Sequence, residues 1–302
     1  MADFLEKAAV LALVGVTREK WHLTTDLIEK VGSALRCTRR EWSGLEPLEI
    51  ADAERLVAQV TQELIDRYAE MIVRLEREGI RTVTILDDEY PANLRDVYNR
   101  PPMLFIRGTI LKRDERSVAV VGTRTPSPAG VKEARRLAGE LARRGITVLS
   151  GLARGIDTAV HEATQEAGGR TIAVLGTGIY RIYPPENTRL AHEIERGGAL
   201  VSQFWPDAPP TRISFPLRNV VMSGMAIGTV VIEAGPTSGA KMQARLALEH
   251  GKRLFLIDSL VLKQPWAKRY AQHPAAVVVR SADEILPHVE ALARPEQTLS
   301  VG

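Results

Sequence analysis

Four short turns in this chain of 302 residues carry the residue types that hold phosphate. Gly122-Thr123-Arg124 sets a guanidinium beside backbone N–H groups, and in the second turn Gly151 and Gly155 bracket Arg154. Ser214-Phe215-Pro216-Leu217-Arg218-Asn219 joins an aromatic ring, an arginine and an amide. The small-residue turn Glu233-Ala234-Gly235-Pro236-Thr237-Ser238-Gly239 leads into a helix with Lys241 in its first turn. The first N–H groups of a helix have no intrahelical partner, and an arginine can grip a phosphate with two parallel bonds. Turns of this kind therefore suit an anion, and an aromatic among them offers a base a stacking face.

Each residue also has a purely structural use. The glycines serve tight turns and close packing. Asp157 is expected to cap the helix after the second turn, and His161, one helical turn on, to be a packed histidine. Glu233 either hydrogen-bonds backbone or acts as a base, and Phe215 either plugs a lid or stacks on a base. Tyr180 and Tyr183 read as packing residues. Other chemistries lack their signatures. There is no GxGxxG opening a helix, no GxxxxGK[ST] phosphate loop and no GxSxG elbow. The six histidines (22, 161, 192, 250, 273 and 288) show no metal-ligand spacing, so neither a metal nor a cofactor is expected.

The elements that must position these turns follow from periodicity. Ser117–Val121 is apolar without a helical period, as in a strand buried on both faces. Ser127 is placed to cap a helix with Pro128 at its first position. Val131, Ala134, Leu137 and Leu141 then recur at three- and four-residue spacing up to Gly145. Strands are expected at Ile146–Ser150, Thr171–Leu175, Ala199–Ser202, Thr229–Ile232, Arg253–Ile257 and Ala276–Val279. Helices fall between them: from Thr158 to Gly168, from Asn187 to Gly197, from Arg218 to Ala226, from Ser238 to Gly251, and from Ala282 to Leu292. Phe204–Pro216, rich in proline, is expected to be a long loop or lid. This alternation implies an α/β fold with a Rossmann-like, doubly wound, mainly parallel sheet. The turns would then lie at the carboxyl ends of strands, where such sheets take ligands.

Upstream, Arg81–Leu86 and Met103–Ile106 read as strands. Residues 1–80 read as a small helical accessory domain. Its expected helices run from Phe4 to Val14, from a Thr25 cap to Gly32, and from Ala51 to Arg77 on Leu56, Val60, Leu64, Ile65, Tyr68, Ile72 and Leu75. The expected division is thus 1–80 helical, 81–292 α/β, and 293–302 a tail.

An apolar fraction of 45% and a charged fraction of 25% are those of an ordinary globular protein. No apolar run approaches the ~20 residues that span a bilayer, no signal-peptide pattern opens the chain, and Cys37 is the single cysteine. A cytoplasmic protein with no membrane partner is expected. The net charge of +3 does not announce nucleic acid, but Lys112–Arg144 holds nine basic and four acidic residues. Within it Arg135, Arg136, Arg143 and Arg144 fit a solvated helix face better than a phosphate-facing patch.

At these turns the sequence resembles the DNA-processing protein A (DprA/Smf) family. The resemblance lies in Gly122-Thr123-Arg124, in Gly151–Asp157 with His161, and in Ile172–Gly178 with Ile182-Tyr183-Pro184 and Asn187. It continues in Phe215–Asn219 and in Glu233-Ala234 with Ser238-Gly239. Upstream, Tyr90-Pro91, Leu94, Pro102, Leu104 and Arg107-Gly108 also fit, so the likeness spans about residues 80–257. It implies a Rossmann-like domain that binds single-stranded DNA, forms a homodimer and hands the strand to a RecA-type recombinase in natural transformation (competence) and DNA recombination. It assigns Arg124 and Arg218 to phosphate, Gly122, Gly151, Gly155, Ser238 and Gly239 to backbone contacts, and Phe215 to shaping or stacking. Thr123, Arg154, Asn219 and Lys241 complete the expected site.

Two departures stand out. Val220 replaces the family's second arginine after Arg218-Asn219, with Lys241 the candidate to compensate. Ile257-Asp258-Ser259-Leu260 replaces a Pro-Gly turn, and no C-terminal winged-helix segment is read after it. A divergent member is implied, for which phage defence or mobile elements are further settings. Two rivals use the same turns. One is a nucleotide phosphoribohydrolase-like enzyme, disfavoured because Glu233 precedes the turn and no glutamate follows until Glu249. The other is a sensor of a small nucleotide. A non-catalytic binding protein is the expectation.

Overall fold

The computed structural model describes residues 2–17 and 21–292; the expected tail at 293–302 lies outside them. The chain opens with five helices: α1 (Ala2–Thr17), α2 (Trp21–Val31), α3 (Ala34–Thr38), α4 (Pro47–Val57) and α5 (Gln62–Arg77). Then come β1 (Ile80–Thr84), α6 (Ala92–Arg95), β2 (Met103–Gly108), β3 (Ser117–Val121), α7 (Pro128–Arg143), β4 (Thr147–Ser150), α8 (Ile156–Glu166) and β5 (Thr171–Val174). The rest is α9 (Thr188–Gly197), β6 (Ala199–Ser202), α10 (Ser214–Met225), β7 (Gly228–Val231), α11 (Gly239–Glu249), β8 (Arg253–Ile257), α12 (Asp258–Lys263), α13 (Pro265–Tyr270), β9 (Ala276–Val279) and α14 (Leu286–Leu292). The fold is mixed α/β with mostly parallel strands, as its alternating pattern implies.

The described residues divide into two compact units, each built from two stretches of chain. Unit one takes the residues up to Thr109 together with Ala173–Val221; unit two takes Ile110–Ile172 and the residues from Met222.

In unit one, α1 is buried without a break from Ala8 to Val14. A helix apolar on all sides must be a core helix, and α2, α3, α4 and α5 pack around it. The helix expected over 51–77 is two helices. Thr61 starts α5, its hydroxyl accepting from Leu64 N at 3.2 Å. The pattern hides this break because Leu56, Val60 and Leu64 keep helical spacing across it. Thr25 lies inside α2 rather than capping it, and its hydroxyl donates to the Trp21 carbonyl at 3.0 Å. β1 pairs antiparallel with β2, and β2 antiparallel with β6. Helix α10 begins at Ser214, four residues before the expected start at Arg218. Pro216 did not forbid this, because a first-turn N–H has no helical acceptor to lose.

In unit two the strand order is β4-β3-β7-β8-β9, and every pair in it is parallel. All residues of β3, β4 and β7 are buried, which explains their unbroken apolar runs. The chain goes from β3 outward to β4 and later returns with β7 on the other flank of β3. The space between the carboxyl ends of β3 and β7 is therefore a topological switch point, the place where open α/β sheets take ligands. At the opposite end of these strands Arg170 grips the buried Asp114 with two bonds, at 2.6 and 2.8 Å, and Thr147 donates a third at 2.9 Å.

Three of the arginines on and just after α7 are paired within unit two. Arg135 meets Glu162 at 3.1 Å, Arg136 meets Glu133 and Glu140 at 2.5 and 2.6 Å, and Arg144 meets Asp283 at 2.5 Å. A solvated helix face is what the sequence favoured here.

His250, just past α11, has Nδ1 3.0 Å from Ser223 Oγ. Burial first, and then Lys252, push its imidazole down to about 4. The folded state therefore prefers the neutral ring. That preference is present in full above the unfolded value near 6.5 and is lost as pH falls toward 4. Urea midpoints are expected to drop across that window, and to drop less in a His250→Gln variant.

Candidate nucleic-acid interface

Parallel strands release their turns on one edge, and unit two stitches three of the four sequence-flagged turns together there. Thr123 N donates to the Glu233 carbonyl at 2.7 Å, and Ile156 N to the Thr123 carbonyl at 3.2 Å. The glycines permit the fit. A Cβ on Gly122 would stand 2.4 Å from the Ile156 side chain. Gly155 sits at φ +81°, and a Cβ there would stand 2.5 Å from the Thr123 carbonyl oxygen.

Asp157 does not cap α8: Gly155 is the N-cap, and Asp157 is the helix's second residue. Its carboxylate turns back instead, accepting from Gly151 N at 3.1 Å and Ala153 N at 3.3 Å. The turn is thereby pinned from inside, with the buried Leu152 held at φ +56°, a region a branched residue normally avoids. His161 is fully buried with Nδ1 2.7 Å from Thr171 Oγ1, a structural contact.

The helix starts at this edge are not equivalent. Ser127 caps α7, accepting from Gly130 N at 3.1 Å. Its hydroxyl and N–H donate to the Glu233 carboxylate at 2.9 and 3.2 Å. A Cβ on Gly130 would lie 2.0 Å from that carboxylate. The chain's own anion thus occupies the positive end of α7. Ser127 and Gly130 were not flagged as site residues; only their spacing from the Gly122 turn could have suggested them. At α11, Ser238 accepts from Lys241 N at 3.2 Å, Gly239 is exposed, and Lys241 Nζ donates to the Pro236 carbonyl at 2.9 Å. Arg124 and Arg154 are both exposed on their turns. This edge therefore presents three cationic side chains on backbone held by hydrogen bonds on either side.

The fourth flagged turn belongs to unit one. Ser214 Oγ donates to the Gly176 carbonyl at 2.6 Å. The half-buried Phe215 ring lies against Gly176, where a Cβ would come within 2.6 Å of it, and 5.8 Å from the Tyr183 ring. Arg218 is only 6% exposed. It donates to the Val174 carbonyl at 2.6 Å and to Asn219 Oδ1 at 3.1 Å. A phosphate reaching Arg218 would compete with these acceptors. Sequence could not show this burial, because arginine is a surface residue by default. Among the described residues no group of three His, Cys, Asp or Glu side chains could hold a metal ion, and no helix is long and apolar enough to cross a membrane.

The profile of the family described as DNA recombination-mediator protein A matches residues 81–290. The chain is 32% identical over 244 residues to the DNA processing protein DprA of Bacillus subtilis, covering 79% of this chain and 80% of that protein. Among solved structures, DprA of Streptococcus pneumoniae superposes with a TM-score of 0.71 at 30% identity, covering 93% of this chain and 97% of that one. DprA of Helicobacter pylori, solved to describe its single-stranded DNA binding mode, is similar in fold: TM-score 0.62 at 24% identity, covering 71% of this chain and 97% of that one.

Proposed function

This chain belongs to the DNA recombination-mediator protein A family, and from that premise we propose that it binds single-stranded DNA through the strand-end turns of unit two. Arg124, Arg154 and Lys241 contact phosphates, and the N–H groups of Gly122, Gly155 and Gly239 supply neutral donors, while those of Thr123, Gly151 and Ser238 hold the turns in shape. In unit one, Phe215 offers a stacking face, and Arg218 and Asn219 fix the turn that carries it and take phosphate where a strand displaces their present acceptors. The observation that carries this reading is the exposure of Arg124 and Arg154 on two turns locked together at the switch point. Family membership extends it to a homodimer in the cytoplasm that passes the strand to a RecA-type recombinase, in transformation or another recombination setting.

The protein acts by binding rather than catalysis in this reading. Glu233, the acid that the rival hydrolase would use as a base, is engaged by Ser127 at 2.9 Å. The test is a fluorescence-anisotropy titration of a labelled oligothymidylate against the full chain. Saturable binding is expected, weakening with salt by about 0.7 log units per phosphate contact per log unit of salt. Duplex DNA of equal length should bind less tightly. Absence of binding, or affinity indifferent to salt, would overturn the reading.

A further inference from the structure

We propose that a cavity in unit one binds a linear polyamine. The cavity, about 450 Å³, lies among α1, the last turn of α5, β1 and the turn after β1. Its charges are Glu76, Asp87, Asp88 and Glu89 against Lys7 and Arg81, a balance of −2. Arg81 pairs with Glu89 at 2.8 Å and Lys7 with Asp87 at 3.4 Å. Glu76 and Asp88 are exposed and have no ion-pair partner among the described residues. The cavity thus keeps two carboxylates for a cation that the chain does not supply.

A second observation points the same way. Thr82 lines the cavity at 3% exposure, and its hydroxyl has no hydrogen-bond partner. A buried hydroxyl left unpaired is costly, and a ligand N–H that displaces the atoms covering it would satisfy it. The ligand is not a metal ion, because no three acidic, His or Cys groups among the described residues converge closely enough to hold one. Separated carboxylates instead call for separated positive charges. A polyamine provides ammonium groups to reach Glu76 and Asp88, N–H donors for Thr82, and methylenes to lie along Leu86.

Isothermal titration of the full chain with spermidine at low ionic strength tests this. Saturable one-to-one binding with a dissociation constant below about 1 mM is expected. The double variant Glu76→Gln, Asp88→Asn should weaken it about tenfold. Thr82→Val should weaken it too, while leaving the fold as stable or more so. Butylamine, with a single ammonium, should bind at least tenfold less tightly than spermidine. No saturable heat, unchanged affinity in either variant, or butylamine matching spermidine would each overturn the proposal.

Discussion

With Arg124 and Arg154 both replaced by alanine, affinity for a labelled oligothymidylate is expected to fall about a hundredfold. Each guanidinium is assigned a charge-assisted bond to phosphate, and such bonds contribute about 1.5 kcal/mol or more. Two of them give about 3 kcal/mol, or roughly two powers of ten. The salt slope should flatten at the same time by about 1.4, since each lost contact releases fewer counterions. Stability should hardly change. Both side chains are exposed, and their turns are held by bonds from Thr123 N to the Glu233 carbonyl and from Gly151 N to the Asp157 carboxylate, which the substitutions leave intact. Parent-like affinity and slope in a folded double variant would show that the strand binds elsewhere.

Gly155→Ala is expected to lower unfolding free energy by about 3 kcal/mol. A left-handed backbone costs a non-glycine residue about 1–2 kcal/mol, and Gly155 sits at φ +81°. Its new Cβ would also press on backbone, 2.5 Å from the Thr123 carbonyl oxygen and 2.8 Å from the Arg124 carbonyl carbon. Backbone cannot swing aside as a long side chain can, so overpacking adds about 1–3 kcal/mol. Gly168 supplies the control. It has φ +71° with nothing within 4 Å of a built Cβ, so alanine there should cost only about 1 kcal/mol. Urea unfolding of both variants separates the conformational cost from the packing cost. Equal losses would mean that the two turns are not packed as tightly as described.

Much of this fold was legible, and for identifiable reasons. The β3-α7-β4 segment could be read because its strands are buried throughout and Ser127-Pro128 marks the helix start without ambiguity. Boundaries failed where two local rules disagreed. Helical spacing ran through Ala58–Thr61 although Thr61 was a good cap, and the prolines after Phe204 masked a helix that accepts Pro216 in its first turn. The Gly122, Gly151 and Ser238 turns were legible because parallel strands carry their turns to one edge. The partners of the charged residues were not legible. Asp157 folding back on its own turn, Glu233 seated on α7 and Arg218 buried beside Val174 depend on side-chain directions that spacing does not encode.

The interleaving of the two units sets a timetable for biosynthesis. Strand β3 has its outer neighbour β4 within thirty residues, but its inner neighbour β7 begins at Gly228, about a hundred residues after β3 ends at Val121. At a translation rate of about 5–20 residues per second, the emerging β3 waits roughly 5–20 s with one flank bare. Nothing resembling the switch-point crevice can exist on a ribosome-bound chain until that neighbour has left the exit tunnel. A nascent chain halted between Arg154 and Gly228 carries Arg124 and Arg154 but lacks the strand that closes the crevice beside them.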